Sequence, residues 1–166
     1  MDPSARLTYQ KFTESDREFS ITLSMDETIM KYVTGKALSH SEAQKRFDYQ
    51  LKVNIQTSNL GFYKAIDILS QKIVGYVKIV KDTAETMEIG YAVLADFRGM
   101  GYADEMTSAM IAHTENNFPE VSKLLGTVQK ENSVSAHILQ KHGFSVEKEE
   151  VIENRIVIHY TKWIEK

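Results

Sequence analysis

Apolar residues in this chain change their spacing several times, and each change marks an element. Leu7 to Phe12 alternates apolar and polar positions, the two-residue period of a half-buried strand. Phe19, Ile21 and Leu23 then follow Ser15-Asp16-Arg17-Glu18, a capping-box pattern, so a helix is expected to start there. Asp26 is placed to cap a short turn reaching Met30, and Ser39-His40-Ser41-Glu42 is a second capping box leading a polar amphipathic helix to about Ile55. Phe62 to Leu69 and Ile73 to Val80 read as strands joined in a hairpin by Ser70-Gln71-Lys72. Glu85 to Leu94 is the next strand, paired back across Lys81-Asp82-Thr83. From Tyr102 to Asn117 the pattern is helical, with Ala103, Met106 and Met110 on one face and Pro119 ending the element. Leu124 to Val128 reads as a strand and Ser133 to His142 as a helix. Val146 to Val151 and Ile156 to Trp163 form a closing hairpin around Asn154. That order predicts a mixed sheet with helices on both faces, an α/β fold.

Composition narrows the setting without naming an activity. A length of 166 residues with no linker, repeat or low-complexity stretch predicts one domain spanning 1–166. The formal net charge of -3 and the lack of a Lys/Arg cluster argue against a nucleic-acid partner. Zero cysteines exclude disulfides, thiolate metal sites and a cysteine nucleophile, and fit a reducing compartment. No His/Asp/Glu group has metal-site spacing, so no metal is expected. The start of the chain carries no apolar signal core, and no apolar run approaches the roughly 20 residues that span a bilayer. The expectation is a cytoplasmic protein with no membrane partner.

Candidate chemistry begins at Arg98-Gly99-Met100-Gly101-Tyr102-Ala103, between the Glu85–Leu94 strand and the following helix. Gly99 and Gly101 allow a sharp turn and a close approach to an anion. The first helical amides lack intrahelical partners and carry the positive end of the dipole, which suits phosphate. Arg98 adds a charged donor fork. The spacing is neither that of a Walker loop nor that of the dinucleotide fingerprint. A glycine-rich strand-to-helix turn with no ligand is the plain alternative. Further on, Asn132-Ser133-Val134-Ser135 opens a helix that runs through Ile138 and Leu139 to Gly143-Phe144. Asn132 suits an N-cap or a ligand contact, and Gly143 suits the left-handed position after a helix. A capped amphipathic helix also accounts for these residues.

Together, Arg-x-x-Gly-x-Ala and Asn-x-x-Ser-x-x-x-Leu-x-Lys-x-Gly-Phe resemble the acyl-coenzyme A loop and the last conserved helix of the GNAT N-acetyltransferase superfamily. Glu88-Ile89-Gly90-Tyr91, and Asp26 to Tyr32 near the start, are similar to its ribosomal-protein-alanine acetyltransferase branch. The resemblance implies a mixed, mostly antiparallel sheet whose central parallel strand pair splays apart around acetyl-CoA. It implies that backbone groups of Tyr91, Ala92 and Val93 meet the pantetheine. Arg98, Gly99, Met100, Gly101, Tyr102 and Ala103 would hold the pyrophosphate, and Asn132 would contact the pantetheine. The implied reaction moves an acetyl group directly to a primary amine, of a peptide N-terminus or a small molecule, within a ternary complex. A homodimer is compatible with it.

Such a transfer needs a neutral amine, donors for the oxyanion and a proton for the thiolate. Glu88 is the first candidate for the base, directly or through water, with Glu85 a weaker one near the turn. Histidine as a residue type suits such proton transfer, but the spacing of the five histidines singles none of them out, and His113, His137 and His142, on helices, read as surface or packing residues. Many relatives place a tyrosine four residues before the Gly-Phe pair to protonate the thiolate, and here that residue is Leu139. Ser135, one helical turn earlier, is the remaining candidate donor. A CoA-binding module of this fold without chemistry is the alternative function.

Overall fold

The computed structural model describes residues 1–164. Strand β1 (Leu7–Lys11) leads through a 3₁₀ turn, Glu14–Asp16, to helices α1 (Arg17–Ser24), α2 (Glu27–Met30) and α3 (His40–Gln56). Three strands follow, β2 (Gly61–Asp67), β3 (Ile73–Lys81) and β4 (Thr86–Val93), and then α4 (Tyr102–Asn117). Strand β5 (Lys123–Gln129), helix α5 (Ser133–Lys141) and the hairpin β6 (Ser145–Ile152) and β7 (Arg155–Trp163) complete the described chain. One sheet runs in the order β1-β2-β3-β4-β5-β7-β6, with β4 and β5 parallel and the other neighbours antiparallel. The mixed α/β architecture expected from the pattern is the one observed.

Alternation along the strands divides the core into two layers. Val77, Ile79, Met87 and Ile89 face α4, where Met106 and Met110 lie fully buried, and Leu139 of α5 joins the same cluster. The opposite face carries Phe62 and Tyr76 against Phe12 and Phe47 of the α3 side. Along α3 the buried positions are Ala43, Phe47, Gln50 and Asn54, one stripe at helical spacing. Two members of that stripe are polar. Asn54 satisfies its amide completely, donating to the Phe12 and Phe62 carbonyls at 3.0 Å each and accepting from the Phe62 N–H at 2.7 Å.

Some local expectations shift. The first capping box is Thr13 with Asp16, not Ser15 with Glu18. The Thr13 N–H donates to the Asp16 carboxylate at 2.9 Å, and Lys64 on β2 holds that carboxylate at 2.7 Å, so the helix starts at Arg17. Glu85 lies in the turn before β4, its carbonyl accepting from the Ser122 and Lys123 N–H groups. The Ser39–Glu42 box forms as expected, and so does the end of α5. There Gly143 sits at φ +83°, the Gly143 N–H donates to the Gln140 carbonyl at 2.9 Å, and the Phe144 N–H donates to the Leu139 carbonyl at 3.0 Å. Among the described residues no helix is long and apolar enough to cross a membrane.

Candidate active site

Strands β4 and β5 pair only from Thr86↔Lys123 to Glu88↔Leu125. Beyond that, β4 keeps to β3 and β5 keeps to β7, so the two edges part. The Leu94 N–H donates to the Val74 carbonyl at 2.9 Å, which sets the alternation in β4. Backbone groups of Leu94, Ala92 and Gly90 therefore turn to β3, while those of Ile89, Tyr91 and Val93 turn to the opening. Of the expected backbone contacts, Tyr91 and Val93 stand at the gap and Ala92 is committed to the ladder opposite Tyr76. A cleft of about 1170 Å³ runs through this opening and reaches both faces of the sheet.

At one end of the cleft lies the glycine loop. Gly99 and Gly101 hold φ +75° and +80°, a left-handed backbone that other residues adopt at a cost. Gly101 caps α4 without a side-chain bond, and the first helical bond runs from Glu105 N to the Gly101 carbonyl at 3.2 Å. The amides of Tyr102, Ala103 and Asp104 thus remain available to an anion. Two carboxylates in this first turn would oppose one, and both are tied elsewhere. Asp104 is held by Lys141 and His142 at 2.9 Å each. Glu105 takes Ser4 and Arg6 at 2.7 Å each, and these contacts hold its carboxyl below the usual range against the opposing effect of burial. Arg6 also donates to the Met100 carbonyl at 2.9 Å and lies 4.4 Å over the Tyr102 ring, while the Tyr102 hydroxyl donates to Asp67 at 3.0 Å. Arg98 lies at the loop but donates to the carbonyls of Val93, at 3.2 Å, and Thr28, at 2.9 Å. It joins the end of β4 to the start of α2.

The middle of the cleft holds the candidates for proton transfer. Glu88, on the α3 side of β4, is paired through Oε1 with Lys78 at 2.7 Å, and its other oxygen has no protein partner among the described residues. Tyr91 projects from the opposite face, toward α5, where its hydroxyl donates to Ser135 Oγ at 3.1 Å. Burial pushes the Tyr91 phenol up. Asn132 caps α5 by accepting from the Ser135 N–H at 3.2 Å, which leaves its amide nitrogen at the cleft. Leu139 is 4% exposed and packs on Gly126, where an added Cβ would stand 2.9 Å from Leu139 Cδ1. The side chain at that position fills the β5–α5 contact, and the phenol at the cleft comes from β4.

Residues 6–145 match the acetyltransferase (GNAT) domain family. The chain belongs to that family. It is therefore an acetyl-CoA-dependent N-acetyltransferase by membership. No curated protein matches. Solved structures share the fold at low identity. A GNAT-family acetyltransferase from Bacillus anthracis superposes with a TM-score of 0.79 at 20% identity, covering 96% of each chain. Spermidine N-acetyltransferase from Vibrio cholerae, in complex with CoA and spermine, gives 0.78 at 17% identity, again with 96% of each chain. The RimL ribosomal-protein acetyltransferase, in complex with coenzyme A, gives 0.79 at 15% identity, covering 98% of this chain and 97% of that one.

Glu88, Tyr91, Ala92, Val93, Asn132, Ser135 and the loop residues Arg98, Gly99, Gly101, Tyr102 and Ala103 all line this GNAT cleft, whereas Met100 is exposed and does not. Three contributors escaped sequence reasoning. Lys78 is legible only once the β3–β4 register puts Val80 opposite Glu88 and Lys78 two positions along on the same face. Arg6, on the segment before β1, is brought to the loop by the sheet alone. The Tyr91 side chain, as distinct from its backbone, needs the position of α5. Among the described residues no group of three or more His, Asp or Glu side chains is arranged to hold a metal ion.

Proposed function

We propose that the protein transfers an acetyl group from acetyl-CoA directly to a primary amine, both substrates being bound at once. The observation that carries this reading is the parting of β4 from β5, with Glu88 on one face of β4 and Tyr91 on the other. The cleft suits acetyl-CoA in three respects. Tyr91 and Val93 present backbone groups at the gap, Asn132 presents an amide, and the first turn of α4 presents free N–H groups beside two glycines. A volume of about 1170 Å³ exceeds the roughly 300–1,000 Å³ typical of a single ligand pocket, which fits two substrates.

Acetyl-CoA supplies an activated thioester carbonyl. The amides of Tyr102, Ala103 and Asp104 hold its pyrophosphate by charge-assisted hydrogen bonds. Glu88 takes the proton an alkylammonium must lose, through the carboxylate oxygen that Lys78 leaves free, directly or by way of a water. Ser135 gives its hydroxyl proton to the departing thiolate and recovers one from Tyr91, whose phenol is replenished from solvent. Leu139 has no part in that step.

Initial rates test the proposal, with acetyl-CoA varied against a panel of primary amines and free thiol as readout. Intersecting double-reciprocal lines are expected. Parallel lines would reject direct transfer. Acetyl-CoA binding with no amine acetylated would favour a binding module.

A further inference from the structure

The α3 wall of the cleft carries two donors with no protein acceptor. Arg46 lines the cleft, is half-buried, and forms neither an ion pair nor a hydrogen bond among the described residues. Its neighbours explain why. Glu42, one turn earlier, is turned back to the Ser39 N–H and hydroxyl at 2.8 and 2.6 Å. Asp48 is taken by Arg17 at 2.8 Å. Across the cleft, Glu88 is taken by Lys78 at 2.7 Å and Glu153 by Arg155 at 3.3 Å.

One turn after Arg46, Gln50 is only 3% exposed and still lines the cleft. Its carbonyl oxygen accepts from the Ser20 hydroxyl at 3.3 Å, and its amide nitrogen has no partner among the described residues. Among the described residues the buried side-chain polar atom left without a partner is the Tyr63 hydroxyl; the Gln50 nitrogen instead opens to the cleft, where a ligand oxygen can meet it. Asn54, on the same stripe, has every such group satisfied within the protein. Residues at i and i+4 share one helix face, so Arg46 and Gln50 present their donors side by side. Both want an oxygen acceptor, and Arg46 wants a negative one.

Resting on the acetyl-transfer reading, we infer that the acceptor is a primary amine that also carries a carboxylate, which Arg46 and Gln50 hold while Glu88 receives the amine. A polyamine has no group for these donors and would place positive charge beside Arg46. A free amino acid and a peptide with an acidic residue near its N-terminus share the required chemistry.

The experiment compares amines that differ only in carboxylate against carboxamide. Free amino acids and their amides form one arm. Peptides with Glu or Gln at the second position form another, and spermidine stands as the polycation. The carboxylate member of one arm is expected to have the higher kcat/KM by about tenfold or more, which identifies the source. In Arg46→Ala the ratio should fall toward unity through the KM of the carboxylate member, and Arg46→Lys should recover part of it. Acetyl-CoA affinity checks that the cleft keeps its shape. Spermidine or the amides used as well as the carboxylates would overturn the inference and leave acetyl transfer standing, as would a ratio unmoved in Arg46→Ala. No turnover with any amine would overturn both.

Discussion

Removing the Tyr91 hydroxyl separates a structural hydrogen bond from a catalytic one. In Tyr91→Phe the ring stays in its half-buried site and only the donor to Ser135 Oγ, at 3.1 Å, is lost. As a structural bond it contributes about 0.5–1.5 kcal/mol to stability. In a domain of this size each kcal/mol shifts Tm by roughly 2–4 °C, so the melting temperature should fall by only a few degrees. As the proton source for the thiolate it accelerates the reaction by roughly 10²–10⁴-fold, or about 3–5 kcal/mol of barrier. The two magnitudes differ enough to decide. Steady-state thiol release should show kcat reduced at least a hundredfold with the KM for acetyl-CoA nearly unchanged. Ser135→Ala should lose a similar factor, and the double variant should lose little more, because a relay works as a unit. Because burial raises the phenol's pKa, it stays protonated throughout the neutral range, and wild-type kcat should decline only on the alkaline side of its ordinary value near 10. The Phe variant should lack that decline. A Tyr91→Phe enzyme within a few-fold of wild type would refute the relay and make solvent the proton source.

Three further outcomes follow from named contacts. Glu88→Gln should lower turnover by roughly 10²–10⁴-fold while acetyl-CoA affinity, read by calorimetry, holds; near-wild-type turnover at neutral pH would assign the base elsewhere. Gly101→Val puts a β-branched residue at φ +80°, with the nearest atom to the new Cβ being Arg6 Nη2 at 3.5 Å, so the cost is backbone strain of about 1–2 kcal/mol and not a clash. Acetyl-CoA affinity should drop about tenfold as the loop relaxes, and an unchanged Kd would remove the loop from the binding site. His113 is buried with Nε2 2.8 Å from the Asn59 carbonyl, and burial lowers its pKa. A depressed folded pKa means the unfolded chain takes up the proton first. Stability from this group is complete above its ordinary value near 6.5 and is lost as pH falls below it, so Tm should decline from there in wild type and less steeply in His113→Gln.

Much of this arrangement can be read before folding, and what cannot has a physical reason. Local signals carried the elements. The Ser39–Glu42 box, the Asn132 cap and the Gly143-Phe144 closure each act within one turn of chain, so their residues predict their geometry. Two capping boxes overlapped between Thr13 and Glu18, and the choice fell to Thr13 because Lys64, far along the chain, anchors Asp16. Arg98 looked like a phosphate ligand from its spacing, yet the carbonyls of Thr28 and Val93 engage it, an arrangement only the packing of α2 on β4 could reveal. Glu88 was legible and its Lys78 partner was not, because pairing depends on register. Gln50 did leave a signal, a polar residue on the buried stripe of α3, but Asn54 leaves the same signal and is fully satisfied by backbone. Distinguishing the two takes coordinates.

Following the acetyl group itself shows whether it passes to an amine inside the β4–β5 opening. Acetyl-CoA labelled in its acetyl carbonyl is incubated with the purified protein and the amine panel, and mass spectrometry locates the label while free thiol is counted. Label is expected on an amine, with one thiol released per acetylated product, and none in a protein carrying both Glu88→Gln and Tyr91→Phe. Label remaining on CoA, or appearing only as free acetate, would contradict transfer to an amine.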